Sequence, residues 1–112
     1  MGGGQGEDFG TKPLMEIVVL LAAETDIQAA FNRFEEYREG LGVKFLQKLE
    51  LAYAYLQRHP LIGRLYAKDR RRFLVPNFPF GIFYSVIAGR IIISAVLDLR
   101  QDPTRIRERL EE

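Results

Sequence analysis

The chain has 112 residues, enough for one domain with one hydrophobic core. With 47% hydrophobic residues, 28% charged residues and a net charge of +1, its composition is that of a folded soluble protein and excludes a disordered one. The absence of cysteine excludes a disulfide framework and a thiolate metal site, and fits a reducing cytoplasm. The longest apolar run, 17–23, is far shorter than the roughly 20 residues that a membrane-spanning helix needs.

The N-terminal segment differs in composition from the rest of the chain. Residues 1–14 are rich in glycine and show no periodicity, which predicts a flexible leader. Met15 is the expected natural start, because a strand pattern begins there. Residues 15–112 are predicted to form a single domain.

The first half of this domain predicts one strand followed by two helices. Residues 15–21 are apolar and β-branched on both faces, as in a buried strand. Apolar residues then recur at helical spacing in two segments, which Gly40 and Gly42 separate. The second segment ends at His59–Pro60, because the residue before a proline resists the α conformation. So short a link predicts an antiparallel helical hairpin whose apolar side packs on a sheet.

The second half predicts an antiparallel three-strand meander and a last helix. The strands are expected at about 71–75, 81–88 and 90–97. Ala88–Gly89 is short enough for a tight hairpin, with Gly89 at positive φ. Asp102 before Pro103 predicts an N-cap and the start of the final helix. The predicted fold is therefore α+β in the order β-α-α-β-β-β-α, with one sheet packed against a helical hairpin.

Charge is unevenly distributed along the chain. Residues 15–50 contain seven acidic and four basic residues, a balance of −3. Residues 58–109 contain eleven basic and four acidic residues, a balance of +7. The basic half is where a polyanion or an acidic protein segment would bind, and a solvated surface is the alternative for any single arginine. The candidate binding residues are Arg70, Arg71, Arg72 and Arg100.

Four local features, in this order and over nearly the whole of 15–112, resemble the RelE/ParE superfamily of toxins. They are similar above all to ParE-like (plasmid stabilisation) members. The features are an acidic residue followed by an apolar one at Asp26, the proline-marked segment 59–63, the aromatic-proline-aromatic segment 78–84 and the Arg-x-Asp-Pro ending of 95–103. The resemblance implies the compact β-α-α-β-β-β-α fold of these toxins.

The resemblance also implies the toxin component of a type II toxin–antitoxin system. Such a toxin is cytoplasmic and is neutralised by a cognate ParD- or RelB-like antitoxin, and no cofactor, metal ion or membrane contact is expected. An antitoxin helix is expected in the groove beside the helical hairpin, with an added strand at a sheet edge as a further mode. A monomer and a homodimer are both left open. ParE-like members inhibit DNA gyrase, whereas RelE-like members cleave messenger RNA on the ribosome.

The basic residues favour gyrase inhibition, a binding activity, over the endonuclease. RNA cleavage requires a base, an acid and cations around one phosphate. Arg72 and Arg100 occupy two positions where the resemblance places cations. Leu74 and Gly81 occupy two others, and residues 101–112 contain no Tyr or His. Half of the expected catalytic set is therefore missing.

Two alternatives are left open. If the chain is an mRNA endonuclease, the candidate catalytic residues are Arg72, Arg100 and Tyr84. The second alternative is that the chain is a member of the superfamily that is no longer toxic. His59, the only histidine, is expected at the end of a helix rather than in catalysis.

Overall fold

The computed structural model describes residues 14–111, so the predicted leader lies outside the described residues apart from Leu14. The elements, in chain order, are β1 (Glu16–Val19), α1 (Leu21–Tyr37), α2 (Leu41–Arg58), β2 (Arg64–Ala67), β3 (Arg70–Leu74), β4 (Phe80–Ile87), β5 (Arg90–Asp98) and α3 (Pro103–Leu110). The predicted α+β order is confirmed, with β2 as an additional strand. Within 14–111, no helix combines the length and apolar character needed to cross a membrane.

The five strands form one sheet in the order β1-β5-β4-β3-β2. β1 runs parallel to β5, and the other neighbouring strands are antiparallel. The predicted meander corresponds to β3, β4 and β5, and β2 extends it by one edge strand. The residues of β2 are mostly exposed, so they leave no alternating apolar pattern in the sequence.

Most of the predicted boundaries between elements are also confirmed. The first strand is an exception: it was expected as a buried strand over 15–21, but it ends at Val19, none of its residues is fully buried, and Leu21 already begins α1. Gly40, at φ +89°, separates the two helices, and α2 ends at Arg58 with His59 as its C-cap. Ala88 and Gly89 form the β4–β5 turn, both at positive φ. Asp102 caps α3 by accepting a hydrogen bond from the backbone N of Thr104 at 2.8 Å.

Helices cover both faces of the sheet, but unequally. The α1–α2 hairpin packs on one face, which we call the hairpin face, and the main core lies there. The largest fully buried side chains of that core are Tyr84, Phe45, Leu56, Ile82, Ile91, Ile93, Val75 and Val96. The short helix α3 packs on part of the other face, which we call the α3 face. A smaller core lies beneath it, formed by Phe83, Ala95, Leu97 and Ile106.

An aromatic cluster fastens the helical hairpin to the turn before β4. Phe34 of α1 and Phe45 of α2 contact Phe78 and Phe80, with ring centroids 5.1–5.7 Å apart. Aromatic pairs at such separations contribute about 0.5–1.5 kcal/mol each beyond the burial of their area. The aromatic-proline-aromatic segment is thus an anchor of the core.

The carboxylate of Asp26 joins three parts of the chain. It accepts a hydrogen bond from the backbone N of Val96 at 3.0 Å, in the part of β5 that extends beyond β1. It also accepts two hydrogen bonds from the Arg109 guanidinium, at 2.7 and 2.8 Å. The two side chains are only 13% and 23% exposed, respectively. Charge-assisted bonds of this length are the strong ones, so Asp26 fixes α3 against α1 and β5.

Candidate functional site

The α3 face of the sheet is closed at β4 and β5 but open at β2 and β3. One row of cross-strand partners shows where the cover ends. From β2 to β5, its members are Arg64, Arg72, Phe83 and Ala95. Phe83 and Ala95 are fully buried beneath α3, whereas Arg64 and Arg72 lie beyond the cover of α3. Residues that share a row of the sheet share its face. The two guanidinium-bearing strands therefore form an open surface, which we call the open α3 face.

Arg72 is positioned by the glycine across the strand pair. A Cβ atom at Gly81 would lie 3.2 Å from Arg72 Cγ and 3.0 Å from Leu99 Cδ2. The absence of a side chain at position 81 thus leaves space for the stem of Arg72 beside Leu99. Within residues 14–111, the guanidinium of Arg72 forms no hydrogen bond or ion pair. Of the four candidate arginines, it is the one whose charge is available on the open α3 face.

Arg70 and Arg71 have intramolecular partners. The Nη1 atom of Arg70 donates to the carbonyl oxygen of Leu110 at 3.2 Å, at the end of α3. The Nη1 atom of Arg71 donates to the carbonyl oxygens of Leu61 at 3.1 Å and Gly63 at 2.8 Å. Arg70 thus binds a backbone carbonyl oxygen at the end of α3, and Arg71 binds two in the segment between α2 and β2.

Arg100 is paired with Asp98 at the end of β5. Its Nε and Nη2 atoms bind the two carboxylate oxygens at 3.0 and 2.8 Å, although the side chain of Arg100 is 68% exposed. The hydrogen bond from this guanidinium is the main cause of the lowered pKa of Asp98. Arg72 lies in the middle of β3 and Arg100 beyond the end of β5, and no hydrogen bond or ion pair links them in the described structure.

Tyr84 lies on the hairpin face and not on the open side of the sheet. It is fully buried, and its hydroxyl donates to the carbonyl oxygen of Pro60 at 2.7 Å and accepts from the backbone N of Gly63 at 2.9 Å. Burial raises the pKa of this phenol. The structure therefore separates Tyr84 from Arg72, with which it was grouped as a candidate catalytic residue. Tyr84 holds the chain segment that follows α2.

An exposed apolar strip runs from α2 to the sheet edge at β2. Its members are 47–62% exposed: Leu51, Tyr55, Leu61, Ile62 and Leu65. Leu51 and Tyr55 lie one helical turn apart, and Tyr55 stacks on Phe73 of β3 with ring centroids 5.7 Å apart. Arg71 continues the strip, because it pairs with Leu65 across the strands and holds the Leu61 carbonyl.

The apolar pattern of α2 already contains a signal for this strip. Leu51 and Tyr55 adjoin the buried stripe of α2, which contains Leu49, Ala52 and Leu56. The apolar surface of α2 is therefore wider than the sheet beneath it covers. Arg64 was missed for another reason, since its strand was not predicted.

Comparison with known proteins identifies both a family and a fold. The sequence profile described as "ParE toxin of type II toxin-antitoxin system, parDE" matches residues 17–103. A solved structure described as "Chromosomal ParDE TA system from P. aeruginosa" is similar, with a TM-score of 0.69 and 18% sequence identity. The likeness covers 78% of this chain and 98% of that chain. No curated protein is significantly similar to the chain.

Proposed function

Because the chain belongs to the ParE toxin family of type II toxin–antitoxin systems, we propose that it inhibits DNA gyrase in the cytoplasm and is neutralised by a cognate ParD-like antitoxin. The family match over 17–103 carries this proposal. The alternative within the superfamily is a RelE-like endonuclease, which cleaves messenger RNA on the ribosome. The two activities share a fold, so the residues of the site must distinguish them.

The open α3 face supports a binding function. Leu74 is exposed there without a charge, and the space at Gly81 is taken up by Arg72 and Leu99. Tyr84, the phenol considered for catalysis, lies on the opposite face with both of its hydrogen bonds made to backbone. Among residues 14–111, no carboxylate, imidazole or phenol is hydrogen-bonded to Arg72, and such a cationic surface is suited to holding a partner rather than to cleaving RNA.

Arg72 is the proposed target contact, since its guanidinium has no partner in the described structure. Arg70, Arg71 and Arg100 remain proposed contacts for the target or the antitoxin. Each of these three would have to exchange an intramolecular partner for the new one, which reduces the net gain. The expected order of importance is therefore Arg72 first and the other three after it.

The exposed apolar strip is the proposed binding site of the antitoxin. Contiguous exposed apolar residues mark protein interfaces, and an amphipathic helix docks by placing apolar residues of one side into such a groove. Arg58, exposed at the end of α2, and Arg71, the cross-strand partner of Leu65, lie beside the strip. The proposed partner is thus a helix with an apolar face and acidic flanks.

The target is tested by brief induction of the full chain in a bacterium, with pulse labelling of DNA and protein. Gyrase inhibition predicts that DNA synthesis falls first, and that the purified chain blocks supercoiling of relaxed plasmid by gyrase. An earlier stop of protein synthesis would replace gyrase by the ribosome as target. If growth, DNA synthesis and protein synthesis all stay unchanged, the proposal that the chain is an active toxin is wrong.

The antitoxin site is tested with two charge substitutions at exposed leucines. Leu65→Glu, in the strip, is expected to weaken antitoxin binding by about 2 kcal/mol, as at a central interface residue. Leu21→Glu is the matched control, because Leu21 is 82% exposed at the start of α1 and outside the strip. Isothermal titration with the antitoxin gives both affinities, and equal losses would place the interface elsewhere.

A further inference from the structure

The arginine pair Arg64–Arg72 is energetically unfavourable as an isolated feature of the fold. The two residues are direct partners in the antiparallel β2–β3 ladder, so their side chains project side by side from the α3 face. Like charges placed directly opposite each other across two strands destabilise a sheet. No carboxylate within residues 14–111 forms an ion pair with either residue. An anion between the two guanidinium groups would remove this repulsion.

The surroundings of the pair form a basic surface with an aromatic residue at its centre. Arg64, Leu65, Tyr66 and Arg72 line a cavity of about 320 Å³ on the open α3 face. A second cavity, of about 440 Å³, shares Tyr66 and is lined in addition by 67–70, Arg107, Leu110 and Glu111. The charged side chains of the second cavity are three basic ones, Lys68, Arg70 and Arg107, and two acidic ones, Asp69 and Glu111, which leaves a balance of +1. A ligand that bridges the two cavities would therefore meet positive charge on both sides of Tyr66.

Tyr66 is fixed in place for contact with such a ligand. Its ring packs edge-to-face against Phe83, with centroids 5.3 Å apart, so the small core beneath α3 sets its orientation. The side chain is only partly buried, although it lies in the wall of both cavities. Proteins hold single-stranded nucleic acid by two kinds of contact. Basic side chains bind successive phosphates, and an aromatic ring between them stacks on a nucleobase.

We propose that Arg64 and Arg72 clamp a phosphodiester group of a single-stranded nucleic acid, whose chain continues past Tyr66 towards Arg70 and Arg107. Each guanidinium presents a planar fork of N–H donors, which matches phosphate oxygens in bidentate geometry. No acidic residue of the described part of the chain lines the Arg64–Arg72 cavity, so an acidic peptide and a nucleic acid would both be attracted there. Two successive cavities around one aromatic ring favour the nucleic acid, whose bases can stack on it. The proposal goes beyond gyrase inhibition. It shares Arg72 with the proposed gyrase contact, but its test is oligonucleotide binding, which needs no gyrase.

The test is fluorescence anisotropy of labelled 16-nucleotide DNA and RNA strands of one sequence, titrated with the full chain at 50–200 mM salt. Binding of both strands is expected, because the contacts are to the backbone. For the double variant Arg64→Gln/Arg72→Gln, the slope of log affinity against log salt is expected to become shallower by about 1.4, for two phosphate contacts at about 0.7 each. The control Arg38→Gln/Arg90→Gln removes the same charge elsewhere and is expected to retain the wild-type slope.

Two further measurements separate the clamp from misfolding and from another ligand. The Arg64→Gln/Arg72→Gln variant is expected to unfold at the same urea concentration as the wild type or a higher one, since it loses a like-charge pair. The charge-preserving Arg64→Lys/Arg72→Lys variant is expected to retain the salt slope. Failure of the wild type to bind either strand at 50 mM salt, or equal slopes for the glutamine variant and its control, would overturn the proposal. Binding of a polyglutamate peptide in place of the oligonucleotides would also overturn it, in favour of a protein ligand.

Discussion

Two buried tyrosine hydroxyls have opposite hydrogen-bonding situations. The hydroxyl of Tyr84 donates to Pro60 and accepts from Gly63, whereas the buried hydroxyl of Tyr53 has no partner in the described structure. Burial, and then the nearby charges of Glu50 and Glu24, raise the pKa of Tyr53. A buried polar atom without a partner costs about 1–3 kcal/mol of desolvation, so the two hydroxyls affect stability with opposite sign.

Removing each hydroxyl is therefore expected to give opposite results. Tyr53→Phe should leave the free energy of unfolding unchanged or raise it by about 1 kcal/mol. Tyr84→Phe should lower it by about 1–3 kcal/mol, because the Gly63 N–H and the Pro60 carbonyl lose their partner. Urea unfolding at pH 7 measures both variants. A loss at Tyr53 as large as that at Tyr84 would show that the Tyr53 hydroxyl has a partner after all.

At the scale of single elements, the β4–β5 turn carries an avoidable strain. Ala88 has φ +51° and Gly89 φ +77°, the conformation of a two-residue hairpin turn in which asparagine followed by glycine is preferred. Alanine in the left-handed region costs about 1 kcal/mol. The hairpin forms despite this residue because the flanking strands bury apolar side chains on both faces.

Substitutions in this turn are expected to have opposite effects at neighbouring positions. Ala88→Asn should raise the free energy of unfolding by about 0.5 kcal/mol, since asparagine tolerates positive φ. Gly89→Ala should lower it by about 1 kcal/mol through backbone strain alone, because no atom of residues 14–111 lies within 4 Å of the added Cβ. Urea midpoints compare the two. A change of the same sign in both variants would contradict this account of the turn.

The start of α2 is capped by a residue of α1. The carboxylate of Glu35 accepts hydrogen bonds from the backbone N atoms of Gly40, Gly42 and Val43 at 2.8–3.2 Å. These bonds, that from Gly40 first, lower the pKa of Glu35. Because this cap comes from the preceding helix, it also links the end of α1 to the start of α2 and so restricts the angle between the two helices.

This cap predicts a component of acid sensitivity. A carboxylate whose pKa is lower in the folded state contributes stability above its unfolded pKa and loses it as the pH falls through the folded pKa. Glu35→Gln is therefore expected to be less stable than the wild type at pH 7, with a difference that shrinks as the pH falls below about 4. Urea midpoints between pH 7 and pH 3 give the comparison. A difference that does not depend on pH would assign the effect to packing.

At the scale of the whole molecule, Asp26 links the two sides of the sheet, because this residue of α1 binds both β5 and α3. Asp26→Asn is expected to lower the free energy of unfolding by about 2–3 kcal/mol, because hydrogen bonds to a charged group are lost in a mostly buried site. Amide hydrogen exchange in α3 should accelerate with it, since Arg109 then loses its carboxylate partner.

The exposed pair of Arg90 and Glu16 is the control for Asp26. Its side chains are 58% and 64% exposed, and Glu16→Gln is expected to cost at most about 0.5 kcal/mol. Equal losses for Asp26→Asn and Glu16→Gln would mean that burial does not strengthen the Asp26 contacts.

Local signals made most of the fold predictable, and their absence explains what was missed. Proline, glycine and the Asp102 cap marked the ends of elements, and periodicity marked the two long helices. The face to which Tyr84 points had no such signal, because β4 is buried on both sides from Phe80 to Ser85. Its register also shifts between Phe83 and Tyr84. Arg64 and Tyr66 were not predicted as candidates, because strand β2 buries too few side chains to produce a recognisable pattern in the sequence.

The position of β1 in the sheet bears on when the chain can fold during synthesis. Among the described strands β1 pairs with β5 alone, and Val19 lies opposite Ile93. The chain leaves the ribosome N-terminus first, at about 5–20 residues per second, so β1 waits several seconds for its partner. The helical hairpin, made early, has no complete sheet to pack on until β5 has emerged. A chain that is cut short before β5 is thus expected to stay unfolded, and any activity of this domain begins only after β5 has been synthesised.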